Sequence, residues 1–238
     1  MKKYLTAILA SIGLMMSASA YSEAVDFVAL EETEGEGGTD VLVVTTSEWT
    51  VTITASGGFA YLDGPSGGEV GGLGACQNLD ANDQCDPRSD DNVTLGESLT
   101  FTFSGIADRS AAILAQLWFN NNHDGGFGEG NNNVEISFDS VVADYETLIV
   151  DMNSGDQEGI PEAYGDTFAV SFQGIALVNG DSFTVSHING NSDFYMAAMA
   201  TFQGPDPRIG ILVPEPTNIM LLALGLMGIV VSRRKRTL

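Results

Sequence analysis

From Val41 onward the chain alternates between apolar and small polar residues. Trp49, Val51 and Ile53 alternate with Thr50, Thr52 and Thr54. Leu99, Phe101 and Phe103 alternate with Ser98, Thr100, Thr102 and Ser104. The same pattern recurs at Val134, Ile136 and Phe138, at Phe168, Val170 and Phe172, and at Phe183 and Val185. A period of two sends successive side chains to opposite faces, so each run predicts a half-buried antiparallel strand. Val41 to Val44, Ile113 to Phe119 and Phe194 to Phe202 are more continuously apolar and predict strands covered on both sides. Turn residues separate these runs, with Asn179-Gly180 giving a short hairpin signal. Arg109 to Gln116 admits a short helix, in competition with the strand reading of Ile113 to Phe119. Roughly eight to ten strands in one unit predict an all-β protein: a single antiparallel β-sandwich, jelly-roll-like, over residues 41–204.

The two ends break this pattern. Lys2 and Lys3 precede the apolar stretch Leu5 to Met16, and Ala18-Ser19-Ala20 follows at cleavage distance. Residues 1–20 therefore read as a secretory signal peptide cut after Ala20, with Ala18 and Ala20 as the small residues the peptidase needs. At the other end, Pro214-Glu215-Pro216 is followed by an uncharged run over 217–231 and then Arg233, Arg234, Lys235 and Arg236. The run is somewhat shorter than the ~20 residues of a comfortable transmembrane helix, a mismatch that local thinning accommodates. The basic cluster would stay cytoplasmic and place 21–213 on the far side of the membrane. Residues 21–40, with Glu31-Glu32-Thr33-Glu34-Gly35-Glu36-Gly37-Gly38, predict an acidic linker or a mobile N-terminal strand, outside the core in either case. Residues 205–213 predict a second linker.

The order of Pro214-Glu215-Pro216, apolar run and Arg233-Arg234-Lys235-Arg236 resembles the PEP-CTERM sorting domain of Gram-negative bacteria, here over 214–238. The resemblance implies an exported protein, held in the inner membrane facing the periplasm and processed by an exosortase-like transpeptidase. It also implies a setting of exopolysaccharide and biofilm at the outer surface or in the extracellular matrix. The segment from Gly71 through Cys76, Cys85 and Asp86 to Phe101 resembles the globular part of other PEP-CTERM proteins, which implies one extracellular β domain and assigns no catalytic residue.

Charge sharpens the picture. The net charge is −23, with 9 Lys and Arg against 32 Asp and Glu. All the acids lie between Glu23 and Glu215, and between the two end segments only Arg88, Arg109 and Arg208 are basic. Such a surface repels nucleic acid and favours hydration or divalent cations. Cys76 and Cys85, in an exported chain, predict a disulfide.

Three stretches have oxygen donors suited to Ca2+. Asn120, Asn122 and Asp124 alternate before Gly125, although Asn131 stands where a bidentate Glu belongs. Asp80, Asp83, Asp86, Asp90 and Asp91 crowd the disulfide loop. Asp151, Asn153 and Glu162 form the third, which lacks the glycine of a calcium loop. A solvated acidic loop accounts for each as well. No G-x-S-x-G or H-E-x-x-H occurs, and His187 reads as a core or edge residue, so the expectation is a non-catalytic structural or adhesive protein. The alternatives are a carbohydrate- or calcium-binding module and, behind them, a secreted hydrolase. Trp49, Trp118, Phe119 and Tyr195 are either a sugar-stacking platform or sandwich core, and Thr50, Thr52 and Thr54 form an outward hydroxyl ladder.

Overall fold

The computed structural model describes residues 22–65, 70–120, 132–139, 147–152 and 167–207. The chain divides into two units, Met1–Asp206 and Pro207–Leu238, and every element named below lies in the first. The elements are β1 (Ser22–Asp26), α1 (Phe27–Glu34), β2 (Gly37–Thr39), β3 (Leu42–Thr45), β4 (Thr50–Ala55), β5 (Phe59–Asp63) and β6 (Gly72–Cys76). They continue with β7 (Ser98–Ser104), β8 (Ser110–Asn120), β9 (Asn133–Asp139), β10 (Thr147–Asp151), β11 (Thr167–Leu177), β12 (Ser182–Asn189) and β13 (Tyr195–Pro205).

Two antiparallel sheets pack as a β-sandwich. One runs β11-β8-β13-β6-β5-β2, with β1 also paired to β13. The other runs β10-β9-β12-β7-β4-β3. The pairings nest: β9 with β10, β8 with β11, β7 with β12, and β6 with β13.

The alternating runs land as their period requires. Val51, Ile53, Leu99, Phe101, Phe103, Phe183 and Val185 all point inward and are buried, while the residues between them face out. The ring of Phe101 stacks on Phe183 at 4.6 Å, and Phe119 stacks on Phe168 at 4.6 Å. Each fully buried Phe stabilises the fold by roughly 1.5–3 kcal/mol.

Two expectations need correction. Of the linker and the strand expected ahead of Val41, the structure has a strand at its start, and the segment enters the core. Ser22–Asp26 pairs with β13, and Phe27 is fully buried with its ring 6.3 Å from Phe101. Asp26 caps the helix by accepting from the Ala29 N–H at 3.0 Å, and Gly35, at φ 91°, ends it with its N–H on the Glu31 carbonyl. The acids of α1 masked a Phe-Val-Ala-Leu start that anchors the segment. Secondly, Arg109 to Gln116 is not helical; Ser110–Asn120 is an eleven-residue strand between β11 and β13, where ladder hydrogen bonds on both sides decide the conformation. The Gly-rich stretch Gly72–Cys76 is β6, and Gly74 is required because a Cβ there would stand 1.8 Å from the Asp91 carbonyl oxygen.

No helix among the described residues is long and apolar enough to cross a membrane. The expected spanning run, 217–231, and the expected signal peptide, 1–20, lie outside the described residues.

Candidate functional site

The residues expected to direct sorting also lie outside the described residues: Pro214, Glu215, Pro216, the Arg233–Arg236 cluster, Ala18 and Ala20. So do Asn153 and Glu162 of the third calcium candidate, and Asn122, Asp124 and His123 of the first. Its remaining member, Asn120, closes β8 and is fully buried. The Asn120 Nδ2 donates to the Gly71 carbonyl at 2.6 Å, which ties β8 to the start of β6.

In the second candidate, Cys76 and Cys85 are disulfide-bonded and both buried. The aspartates around them make separate contacts. Asp80 accepts from the backbone N–H of Asn82 at 2.7 Å and of Gln84 at 3.0 Å. Those two donors hold its pKa below the ordinary carboxylate value. Asp83 adopts a left-handed φ of 61°, and its carbonyl accepts from the Gly38 N–H at 2.9 Å. Asp86 donates its N–H to the Asn78 carbonyl at 2.9 Å. Asp90 accepts from the Gln77 N–H at 3.2 Å, and Asp91 accepts from the Tyr195 hydroxyl at 2.9 Å. Among the described residues, no group of three or more His, Cys, Asp or Glu is gathered so that it could hold a metal. The carboxylates of Asp80, Asp90 and Asp91 hold different donors, while Asp83 and Asp86 bond through their backbone.

Two buried phenols sit on this side of the molecule. Tyr195 is held well above the ordinary tyrosine pKa by burial, then by the nearby carboxylates of Asp63 and Asp91. Tyr61 is raised by burial and by its hydrogen bond to Glu36 at 2.9 Å. A phenol raised in this way stays a hydrogen-bond donor and is no base near neutral pH. His187 is buried between β12 and Phe194, and desolvation lowers its pKa. It belongs to the core.

The four candidate sugar-stacking aromatics do not share a face. Trp49, Phe119 and Tyr195 are buried, and Trp118 packs beside Val28 against Ala197 and Ala198 on the sheet containing β8. Three of the four are spent on packing.

The feature the sequence only hinted at is the outer face of the β10-β9-β12-β7-β4-β3 sheet. Antiparallel register places Thr54 beside Thr100, Thr100 beside Thr184, and Thr184 beside Ser137. The next row holds Thr52, Thr102 and Ser182, and another holds Thr45, Thr50 and Ser104. Hydroxyls pair across the strands, Thr100 with Thr184 at 3.0 Å and Thr45 with Thr50 at 3.2 Å. The rows repeat about every 4.8 Å across the sheet and about every 6.8 Å along it. Strands β3, β4, β7 and β12 contain no Asp, Glu, Lys or Arg, in a chain with 32 acids. Acids enter this sheet only with Glu135, Asp139 and Asp151 on β9 and β10. The single Thr50–Thr54 ladder was legible beforehand. The lattice depends on four strands coming together in register.

Comparison with known proteins bears on the tail. The family profile of the PEP-CTERM protein-sorting motif matches residues 212–236, which takes in Pro214-Glu215-Pro216 and Arg233 to Arg236. The chain is thus a PEP-CTERM sorting domain-containing protein, and the motif marks it as exported and processed at the membrane by an exosortase. No protein of curated function matches the chain. Among solved structures, it is similar to a galactose-bound exo-beta-1,3-galactanase from Phanerochaete chrysosporium, at 16% identity and a TM-score of 0.31. That match covers 76% of this chain and 29% of the galactanase, so the chain spans less than a third of that enzyme's length.

Proposed function

We propose that this is a non-catalytic exported protein that acts as a structural or adhesive component of the cell envelope or exopolysaccharide matrix. The observation that carries the reading is the sorting motif at 212–236. In this reading residues 1–20 are removed on export. The run 217–231 then spans the inner membrane, Arg233 to Arg236 hold it in place, and an exosortase-like enzyme acts near Pro214-Glu215-Pro216. The nested strand pairing supports the jelly-roll form of the sandwich.

The hydroxyl face supports carbohydrate as what this protein adheres to. Threonine and serine hydroxyls both donate and accept, as sugar hydroxyls do. An uncharged face meets an uncharged polysaccharide without stripping water from ions. The net charge of −23 repels an anionic polysaccharide. Each contact is weak, so retention comes from many made together.

Affinity electrophoresis tests this. The protein should be retarded in gels holding dextran or soluble cellulose and should run freely in alginate. Replacing Thr52 and Thr102 with Glu should abolish the retardation. Free migration of the unmodified protein in every neutral gel would contradict the reading.

A further inference from the structure

We infer that β3 is a docking edge for a second copy of this chain, which pairs with it antiparallel about a two-fold axis. Among the described residues the two sheets end in β11 and β2, and in β10 and β3. Sheet edges are ordinarily protected by shortness, bulges, charge or proline. Strand β2 has only three residues. Strand β11 is bulged between Ser171 and Ile175, where Gly174 takes φ 85°. Strand β10 ends in Asp151. Strand β3 and the residue before it read Val41-Leu42-Val43-Val44-Thr45, with no charge, proline or bulge. Val43 is 56% exposed and Val41 44% exposed, in a stretch of high β-propensity.

The backbone shows how the copy would sit. The Thr46 N–H donates to the Trp49 carbonyl at 2.9 Å, which makes these two a hydrogen-bonded pair. Alternation then turns the N–H and C=O of Val44 and Leu42 toward β4, and those of Val43 and Thr45 toward the open edge. At Val41 the edge-facing groups are engaged by the Thr39 hydroxyl, at 3.4 Å for the N–H and 3.2 Å for the carbonyl. One register uses all the remaining groups: Val43 opposite Thr45 of the second copy, with the axis at Val44. The contact is isologous and closes at a dimer.

Charge favours this edge over the acidic parts of the surface. Two chains of net charge −23 repel wherever their acids meet, and β3 and β4 are acid-free. Asp40 and Glu48 bracket the stretch, so the pairing is short and strengthens as salt screens them. Joining two β3 strands also makes one hydroxyl face out of two, which multiplies weak contacts to a polymer. The dimer itself does not rest on the polysaccharide reading.

The test uses the full-length chain in its membrane, oxidised with copper–phenanthroline. A Val43→Cys/Thr45→Cys variant should run mainly as a covalent dimer on non-reducing gels, with a yield that rises with salt up to roughly 0.5 M as repulsion is screened. Ser104→Cys, exposed on the same sheet but away from β3, should remain monomeric. Both cysteine sites are at exposed positions, so folding is preserved, and the readout needs no glycan. Absence of the dimer in the double variant, or an equal yield from Ser104→Cys, would overturn the inference.

Discussion

The indole Nε1 of Trp49 donates to the Thr201 hydroxyl at 3.0 Å, joining residues 152 positions apart. Trp49 leads into β4 on one sheet, and Thr201 lies on β13 of the other. Both are buried, and the Trp49 ring also packs on Phe103 at 5.3 Å. The bond clamps the sandwich from inside. Thr201→Val keeps the shape and removes the acceptor, leaving a buried N–H without a partner. The expected cost is about 1–3 kcal/mol, read from urea unfolding with an unchanged slope. A loss below the error of the measurement would show that the clamp contributes nothing.

The Cys76–Cys85 disulfide closes a loop with a sequence separation of 9. Such a loop restricts the unfolded chain by an amount worth about 2–3 kcal/mol. The Cys76→Ala/Cys85→Ala variant should therefore unfold at lower urea, and dithiothreitol should move the natural protein to the same midpoint. A reductant effect that persists in the double variant would contradict this.

Alkali should unfold the protein cooperatively. Tyr61 and Tyr195 have folded pKa values above the ordinary tyrosine value. Below the unfolded pKa of about 10 both states keep the proton, and the stabilisation is fully present. Above it the unfolded state loses the proton first, so stability falls as pH rises, by up to about 1.4 kcal/mol per pH unit for each phenol. Spectroscopic titration should show part of the signal from the 6 tyrosines appearing only with unfolding. Tyr195→Phe should flatten the alkaline decline. A titration of all the tyrosines as free phenols, with the fold intact, would refute this.

The alternating strands were legible because a period of two is written in neighbouring residues, as in Leu99, Phe101 and Phe103. Elements that depend on distant partners were not. Strand β6 carries no alternating pattern and forms between β5 and β13, and its glycines are there because Met196, Tyr195 and Asp91 approach closely. The contribution of Phe27 to the core was hidden by Glu31 to Glu36, since a run of acids resembles a linker when its Phe27 anchor is not weighed. Which partner each aspartate of the disulfide loop takes was not legible, because sequence shows proximity along the chain and not direction. Asp80 and Asp90 point into different turns. The hydroxyl lattice needed the strand order, and only its Thr50–Thr54 ladder was visible beforehand.

Sorting is the centre of this account, and one measurement tests it most directly. Pro214, Glu215 and Pro216 are replaced together by alanine in the native host, and the size and location of the protein are followed after a pulse of synthesis. The account predicts that the full-length form accumulates in the inner membrane, because the exosortase motif is gone while the run 217–231 and the Arg233–Arg236 cluster remain. Processing and release at the unmodified rate would contradict it.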